Sequence, residues 1–184
     1  MRVIAGRARG TVLFAPAGDY IRPTADRIKE DLFNIIAPYV VGARFLDLFA
    51  GTGQIGIEAL SRGAENAVFV ERERGAADLI RKNIAKCKLD AAGDVICGEV
   101  ALTLQKLGNS GQAFDIVYLD PPYDMDELAG VAKALTEGGL LCDGSLVIAE
   151  QPSNAQNHDI PKLQAYKLKE YSTTKLTFMK YISK

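Results

Sequence analysis

The sequence predicts an α/β domain in which a parallel sheet is covered by helices on both faces, and three observations carry this. Short, predominantly apolar runs recur at residues 45–49, 67–70, 95–97, 114–119 and 146–149. Helical stretches lie between them, for example 55–62, closed by Gly63, and 78–88. The end of the chain differs: 163–171 and 176–182 read as two strands divided by Ser172-Thr173-Thr174, an antiparallel hairpin that finishes the sheet. A strand with no polar side is buried on both faces, which happens where crossover helices cover a parallel sheet above and below.

At the N-terminus, Arg2-Val3-Ile4-Ala5 and Thr11-Val12-Leu13-Phe14 read as two short strands, with Gly6 and Gly10 in their connection. Arg22-Pro23-Thr24 then leads into a helix. Thr24 is placed to act as its N-cap, Asp26 suits the positive first turn, and Ile28, Leu32, Ile35 and Ile36 form its apolar stripe. Pro38 is expected to end it. The expected organisation is a small β-hairpin extension over residues 1–20 and one larger domain over 21–184.

With 184 residues, 48% of them apolar, the chain can bury the core of one domain. No apolar run reaches the roughly 18 residues that a membrane-spanning helix needs. Arg2, Arg7 and Arg9 break up the N-terminus, which argues against a secretory leader. Cys87, Cys97 and Cys142 are odd in number and widely spaced, fitting reduced, mostly buried thiols of a cytoplasmic protein. His158 is the one histidine, so histidine-based nucleophilic or metal chemistry would have to run through it alone.

The formal net charge of −1 conceals an asymmetry. Residues 1–30 carry six Lys/Arg against three Asp/Glu, a net +3, and residues 161–184 carry six against one, a net +5. The middle carries ten against nineteen, a net −9. Basic ends on an acidic body suit a polyanion contacted by the termini.

Two motifs carry chemistry. The first is Asp47-Leu48-Phe49-Ala50-Gly51-Thr52-Gly53-Gln54-Ile55-Gly56, which follows an apolar strand and opens a helix, the context of a nucleotide-binding glycine turn. Gly51 and Gly53 let the backbone turn tightly and approach a ligand. Glu71 ends the next strand 20 residues after Gly51, placed to accept hydrogen bonds from ribose hydroxyls. The same glycine spacing fits a dinucleotide, but a pyrophosphate would not sit beside Asp47, whereas the ammonium of a methionine moiety would. Glu99, after the third strand, is the candidate to meet an adenine amino group. The second motif is Asp120-Pro121-Pro122-Tyr123 at the carboxyl end of the fourth strand, where open α/β sheets bind their ligands. An Asp carboxylate and a Pro carbonyl together can hold both hydrogens of an exocyclic amine, and Tyr123 offers a face for an unstacked base.

With both motifs in place, the chain resembles the S-adenosylmethionine-dependent amino-methyltransferases. The wider pattern is Arg2-Val3-Ile4-Ala5-Gly6, Arg22-Pro23-Thr24, Arg27, Glu30, Leu32-Phe33-Asn34, the glycine turn and Asp120-Pro121-Pro122-Tyr123. It is similar, over nearly the whole chain, to the bacterial 16S ribosomal RNA guanine-N2 methyltransferases of the RsmD type. The resemblance implies a doubly wound, Rossmann-like sheet of seven strands with an N-terminal hairpin that helps grip RNA. It implies S-adenosylmethionine held by Asp47, Phe49, Gly51, Gly53, Glu71 and Glu99, and a guanine held by Asp120, Pro121 and Tyr123. Arg2, Arg7, Arg9, Arg22 and Arg27 are the expected RNA contacts. The expected partner is 16S ribosomal RNA or the small ribosomal subunit, met by a monomer with no metal and no membrane. Two positions depart from the family pattern: Ser172 stands where Gly is usual, and Glu99 where Asp is usual.

Other functions fit less of the sequence. An adenine-N6 DNA methyltransferase uses the same Asp-Pro-Pro-Tyr logic, but little chain remains for a DNA-reading domain. A nicotinamide oxidoreductase leaves Asp47 and Asp120-Pro121-Pro122-Tyr123 unexplained. A non-catalytic RNA-binding assembly factor gives no reason for the glycine turn.

Overall fold

A computed structural model of the protein describes residues 1–16, 23–121, 125–156 and 159–183, the side chains of 23–25 and 125–127 excepted. The elements run α1 (Pro23–Val40), β1 (Arg44–Leu48), α2 (Gln54–Ser61), β2 (Asn66–Glu71), α3 (Arg74–Lys86), β3 (Gly93–Cys97), α4 (Val100–Asn109), β4 (Phe114–Leu119), α5 (Met125–Glu137), β5 (Leu141–Pro152), β6 (Leu163–Glu170) and β7 (Thr174–Tyr181). They build one seven-stranded sheet of order β3-β2-β1-β4-β5-β7-β6. The first five strands pair in parallel, and β7 joins β5 and β6 antiparallel. The expected fold class is therefore the observed one.

Alternate residues of each strand feed two cores. Phe45, Ala67, Phe69, Ile116 and Ile148 pack under α1, α2 and α3. Leu46, Leu48, Val68, Val117 and Val147 pack under α4 and α5. This is why the parallel strands read as unbroken apolar runs. The chain reverses direction across the sheet between β1 and β4, so the carboxyl ends of these two neighbours form the crevice in which such sheets bind ligands.

Helix α2 is buried from Ile55 to Ser61. The N-terminal segment covers the side of α2 that the sheet does not, placing Val3, Ala8 and Leu13 in the same core as α1 and β1. Fully buried Glu58 receives the Ile4 and Ala5 amides at 2.8 and 3.0 Å and the Arg62 guanidinium at 2.7 Å. Ser61 Oγ donates to the Ala5 carbonyl at 2.6 Å and accepts the Ala8 amide at 2.9 Å.

The structure corrects four local expectations. The two N-terminal stretches pair antiparallel around the Arg2–Val12 bridge, the Val3, Gly10 and Leu13 amides donating to the Thr11, Val3 and Met1 carbonyls, but the pairing stays short because the Ile4 and Ala5 amides are spent on Glu58. Helix α1 starts at Pro23, so Thr24 lies inside it and is not its cap; a first-turn proline loses no helical hydrogen bond. The helix also runs through Pro38 to Val40, whose buried side chain ties the last turn to the core. Only Cys87 is buried; Cys97, ending the edge strand β3, and Cys142, at the exposed start of β5, meet solvent. Among the described residues no helix is long and apolar enough to cross a membrane.

Gly6 sets the fit of the N-terminal segment. Its φ is +81°, and a Cβ there would stand 1.8 Å from the Ser61 carbonyl oxygen. Gly6→Ala is expected to lower the folding free energy by about 2 kcal/mol or more, through strain plus displacement of the segment from α2. Chemical denaturation measures the loss, and limited proteolysis should show the first cleavage moving into residues 1–16.

Candidate functional site

Two adjoining cavities, of about 640 and 410 Å3, open at the carboxyl end of the sheet. Phe49, Asp120, Glu150, Thr173 and Thr174 line both. The larger continues over Glu71 and Glu99, the smaller over Asp47, Gly51, Thr52 and Gln54. They form one cleft, walled by the glycine turn on one side and by the ends of β4 and β5 on the other.

The turn itself is strained into shape. Phe49 has φ of 62°, a left-handed conformation that a bulky side chain adopts only when its surroundings impose it. Gly51 and Gly53 follow at 56° and 74°. The two glycines do different things. A Cβ on Gly51 would meet nothing nearer than 4.0 Å, so this position keeps the backbone open to a ligand. A Cβ on Gly53 would come within 2.9 Å of Ile80 Cγ2, so this glycine also lets the turn pack closely against α3.

Glu71 holds the turn from the end of β2. Its Oε2 accepts the Gly51 amide and its Oε1 the Glu73 amide, both at 2.9 Å. Each oxygen retains a second lone pair for a ligand hydroxyl. Asp47 is buried beneath the turn and accepts the Gly56 amide at 2.9 Å. Burial pushes its carboxyl up to about 8, against the pull of that amide, and the nearby charges of Asp120 and Glu71 add to the rise. Asp120 stands at the mouth of the cleft one residue beyond β4, and is pushed up to about 7 by desolvation between the cleft walls and by Glu150. Pro121 lines the larger cavity beside it. Glu99 is exposed on the rim of that cavity, where it caps α4 through its backbone only.

Three further groups belong to the cleft and were not read from the sequence. Glu150 near the end of β5 accepts a hydrogen bond from the hydroxyl of buried Tyr118. Lys29 of α1 is buried; its Nζ lies 2.7 Å from the Arg2 carbonyl oxygen and 3.4 Å from Gln54 Oε1. Desolvation lowers its pKa although Glu58 and Asp26 oppose the shift. The signal for Glu150 was present: like Glu71 and Asp120, it is a carboxylate closing an apolar run. Among the described residues, no three His, Cys, Asp or Glu side chains converge as a metal-binding group.

The basic residues divide. Arg2 and Arg27 are exposed close to the cleft, Arg2 through its carbonyl contact with Lys29 and Arg27 one residue before Ile28, which lines the smaller cavity. Arg7 and Arg9 are also exposed, but the Arg7 amide bonds to the Ser61 carbonyl at the far end of α2. That end is about 12 Å from the glycine turn, at 1.5 Å per helical residue. Arg22, Pro122, Tyr123 and His158 lie outside the described residues.

The profile of a family described as Conserved hypothetical protein 95 matches residues 1–180. The chain is similar to YlbH of Bacillus subtilis, at 39% identity over 150 residues covering 82% of each protein. It is 38% identical over 150 residues to the Ribosomal RNA small subunit methyltransferase D of Escherichia coli, covering 82% of this chain and 74% of that one. The solved structure of the Escherichia coli protein yhhF superimposes with a TM-score of 0.90 at 32% identity, covering 100% of this chain and 99% of that one.

The raised carboxyls make folding pH-dependent with a definite sign. Asp47 and Asp120 bind protons more tightly folded than unfolded, so their contribution is full below the ordinary carboxylate range, near pH 3.8, and is lost as pH rises through about 7 to 8. The melting temperature of the ligand-free protein should therefore fall between pH 5.5 and 8.5, on the order of the span over which these groups titrate. Asp47→Asn, which keeps an acceptor for Gly56, should flatten that fall in a calorimetric pH series.

Proposed function

The chain belongs to the Conserved hypothetical protein 95 family, and from that premise we propose that it is an S-adenosylmethionine-dependent methyltransferase acting on ribosomal RNA of the small subunit. The finer proposal is transfer to the exocyclic N2 amine of a guanine in 16S ribosomal RNA, in the cytoplasm. The similarity to Ribosomal RNA small subunit methyltransferase D supports the RNA and the reaction class. The observation that carries the proposal is that Asp120 lines one cleft together with Asp47, Phe49, Gly51 and Thr52 of the glycine turn. A base amine on Asp120 and a methyl donor lying on the turn would meet inside it.

The residues present suit that donor. A cleft with several carboxylates favours a ligand bearing an ammonium and a sulfonium, since positive charge offsets both the burial and the mutual repulsion that raise Asp47 and Asp120. Asp47 would take the ammonium, Gly51 would offer its open backbone, Phe49 would wall the donor, and Glu71 would accept from the ribose through its spare lone pairs. Gly53 would shape the turn, and Glu99 would meet the adenine amino group at the rim. When bound, S-adenosylmethionine supplies a methyl group that is already activated. The protein's part is then position: Asp120 and the Pro121 carbonyl would hold the two amine hydrogens and turn the nitrogen lone pair outward, with Tyr123 stacking on the base. Such orientation is worth up to roughly 7–11 kcal/mol, and Asp120 also stabilises the positive charge that develops on nitrogen. Arg2, Arg22 and Arg27 would bind RNA at the mouth, with Arg7 and Arg9 reaching flanking phosphates. The segment 1–20 would thus be the RNA-contacting extension of a catalytic domain over 21–184.

Calorimetry should detect S-adenosylmethionine or its demethylated product; tight binding of a nicotinamide dinucleotide with neither of these would overturn the proposal. Asp120→Ala should abolish methylation of small-subunit RNA, read by mass spectrometry of its nucleosides, while cofactor affinity stays near wild type. Tyr123→Ala should lose about 1–3 kcal/mol of base stacking.

The arginines have their own test. Arg7→Ala with Arg9→Ala should weaken RNA binding and lower the slope of log affinity against log salt by roughly 0.7 per lost phosphate contact. Cofactor binding should not change. A salt series that superimposes on wild type would remove the extension from the RNA interface.

A further inference from the structure

Asp120 and Glu150 stand side by side because of strand register. β4 and β5 pair in parallel through Leu119 and Ala149, and the next residue of each strand is a carboxylate. Paired strands run about 4.8 Å apart, so both carboxyls open into the same cleft, and both residues line each of its cavities. Tyr118, two residues before Asp120 and on the same face, donates its hydroxyl to Glu150 Oε2. That bond fixes Glu150 and leaves its Oε1 without a donor from Tyr118. Facing the pair are Asp47 from β1, Glu71, Arg72 and Glu73 from the end of β2, Lys29 from α1, and Tyr171, with Arg27 near it, from the start of the β6–β7 turn. Lys29 is engaged by the Arg2 carbonyl, so no cation among the described residues bonds to either carboxyl of the pair.

We infer that Asp120 and Glu150 act as one carboxylate dyad, sharing a single proton, which takes up the proton that the methylated amine must shed. The chemistry rests on the methyl-transfer proposal, whereas the dyad itself rests on the strand register. The nitrogen lone pair forms the new N–C bond as the C–S bond of the sulfonium donor breaks, its electron pair staying on sulfur. One N–H proton is then in excess. It passes to the Asp120 oxygen that already accepts it in a hydrogen bond, and the dyad's one negative charge is neutralised. Glu150 returns a proton to the water of the cleft. A cationic donor and a neutral amine thus become a neutral thioether, a neutral methylated amine and one proton. Two adjacent carboxyls resist joint ionisation, which keeps such a pair able to take up a proton near neutrality.

The dyad is tested first without RNA or donor, by carboxyl-resolved NMR titration of the ligand-free, isotope-labelled full chain. Asp120 and Glu150 should titrate in two linked steps. Glu150→Gln should move Asp120 toward the ordinary carboxylate range, and Asp120→Asn should do the same to Glu150. A carboxyl that titrates identically with and without its neighbour overturns the dyad. The second test is the pH profile of single-turnover methyl transfer at saturating donor. Glu150→Gln should shift the rising limb to lower pH and reduce the plateau tenfold or more. Tyr118→Phe, which removes a donor to ionised Glu150, should shift the limb to higher pH. Rate losses with unmoved limbs would give Glu150 a structural role only and overturn the inference. If wild type transfers no methyl group to any small-subunit RNA, the functional proposal falls and the titration still decides the dyad.

Discussion

Parallel strand pairing sends the carboxyl ends of β1, β2, β4 and β5 out along one edge of the sheet, and each delivers a carboxylate there. Asp47, Glu71, Asp120 and Glu150 must then share a crevice with little water, where like charges repel strongly. What makes the arrangement tolerable is a set of donors fixed by the fold. Gly56 serves Asp47, the Gly51 and Glu73 amides serve Glu71, and Tyr118 serves Glu150. Among the described residues none donates to Asp120. Among the described residues, donors thus hold three of the carboxylates, and the fourth stands at the mouth of the cleft. On the proposed function, this is where the amine docks.

The glycine turn keeps its strained backbone because it is held on several sides. Fully buried Asn83 of α3 donates to the Thr52 carbonyl at 3.0 Å and to the Phe14 carbonyl at 3.1 Å, and accepts the Phe14 amide at 2.7 Å. One side chain thus ties the turn to the N-terminal segment. Glu58 and Ser61 tie the same segment to α2, the helix that the turn opens. A left-handed Phe49 persists only in surroundings that over-determine it, and this lattice of buried polar contacts supplies them.

Much of this was legible in the sequence because it depends on local pattern. Unbroken apolar runs identified the parallel strands, since burial on both faces removes the polar alternation. The Gly51-Thr52-Gly53 turn and Asp120 could be placed because each follows such a run. What escaped depends on long-range partners. Glu58 and Ser61 read as ordinary helix residues until the segment that they hold, more than fifty positions earlier, comes to rest on them. The ladder expected at residues 2–14 is cut short for the same reason: the Ile4 and Ala5 amides bond to the Glu58 side chain instead of extending it. That Gly53 also packs against Ile80, supplied by a different helix, could not be read from its motif. Glu150 closes the apolar run 146–149, but only the pairing of β5 with β4 brings it beside Asp120 in the cleft.

The division of charge between cleft and rim bears on which part of a nucleic acid can enter. Phosphates are repelled by the carboxylates of the crevice and attracted by Arg2 and Arg27 at its edge, so a backbone would stay outside while a base moves in. Inside, the open Asp120 carboxylate accepts hydrogen bonds and donates none when ionised, and a proline such as Pro121 adds a carbonyl acceptor without an amide donor. A base edge rich in carbonyls would find unpaired acceptors facing it, a costly arrangement in a desolvated site. An edge that presents N–H groups would satisfy them. The selection of an exocyclic amine over a carbonyl can thus arise from the donor–acceptor balance of the cleft, before any contact that distinguishes one amine-bearing base from another.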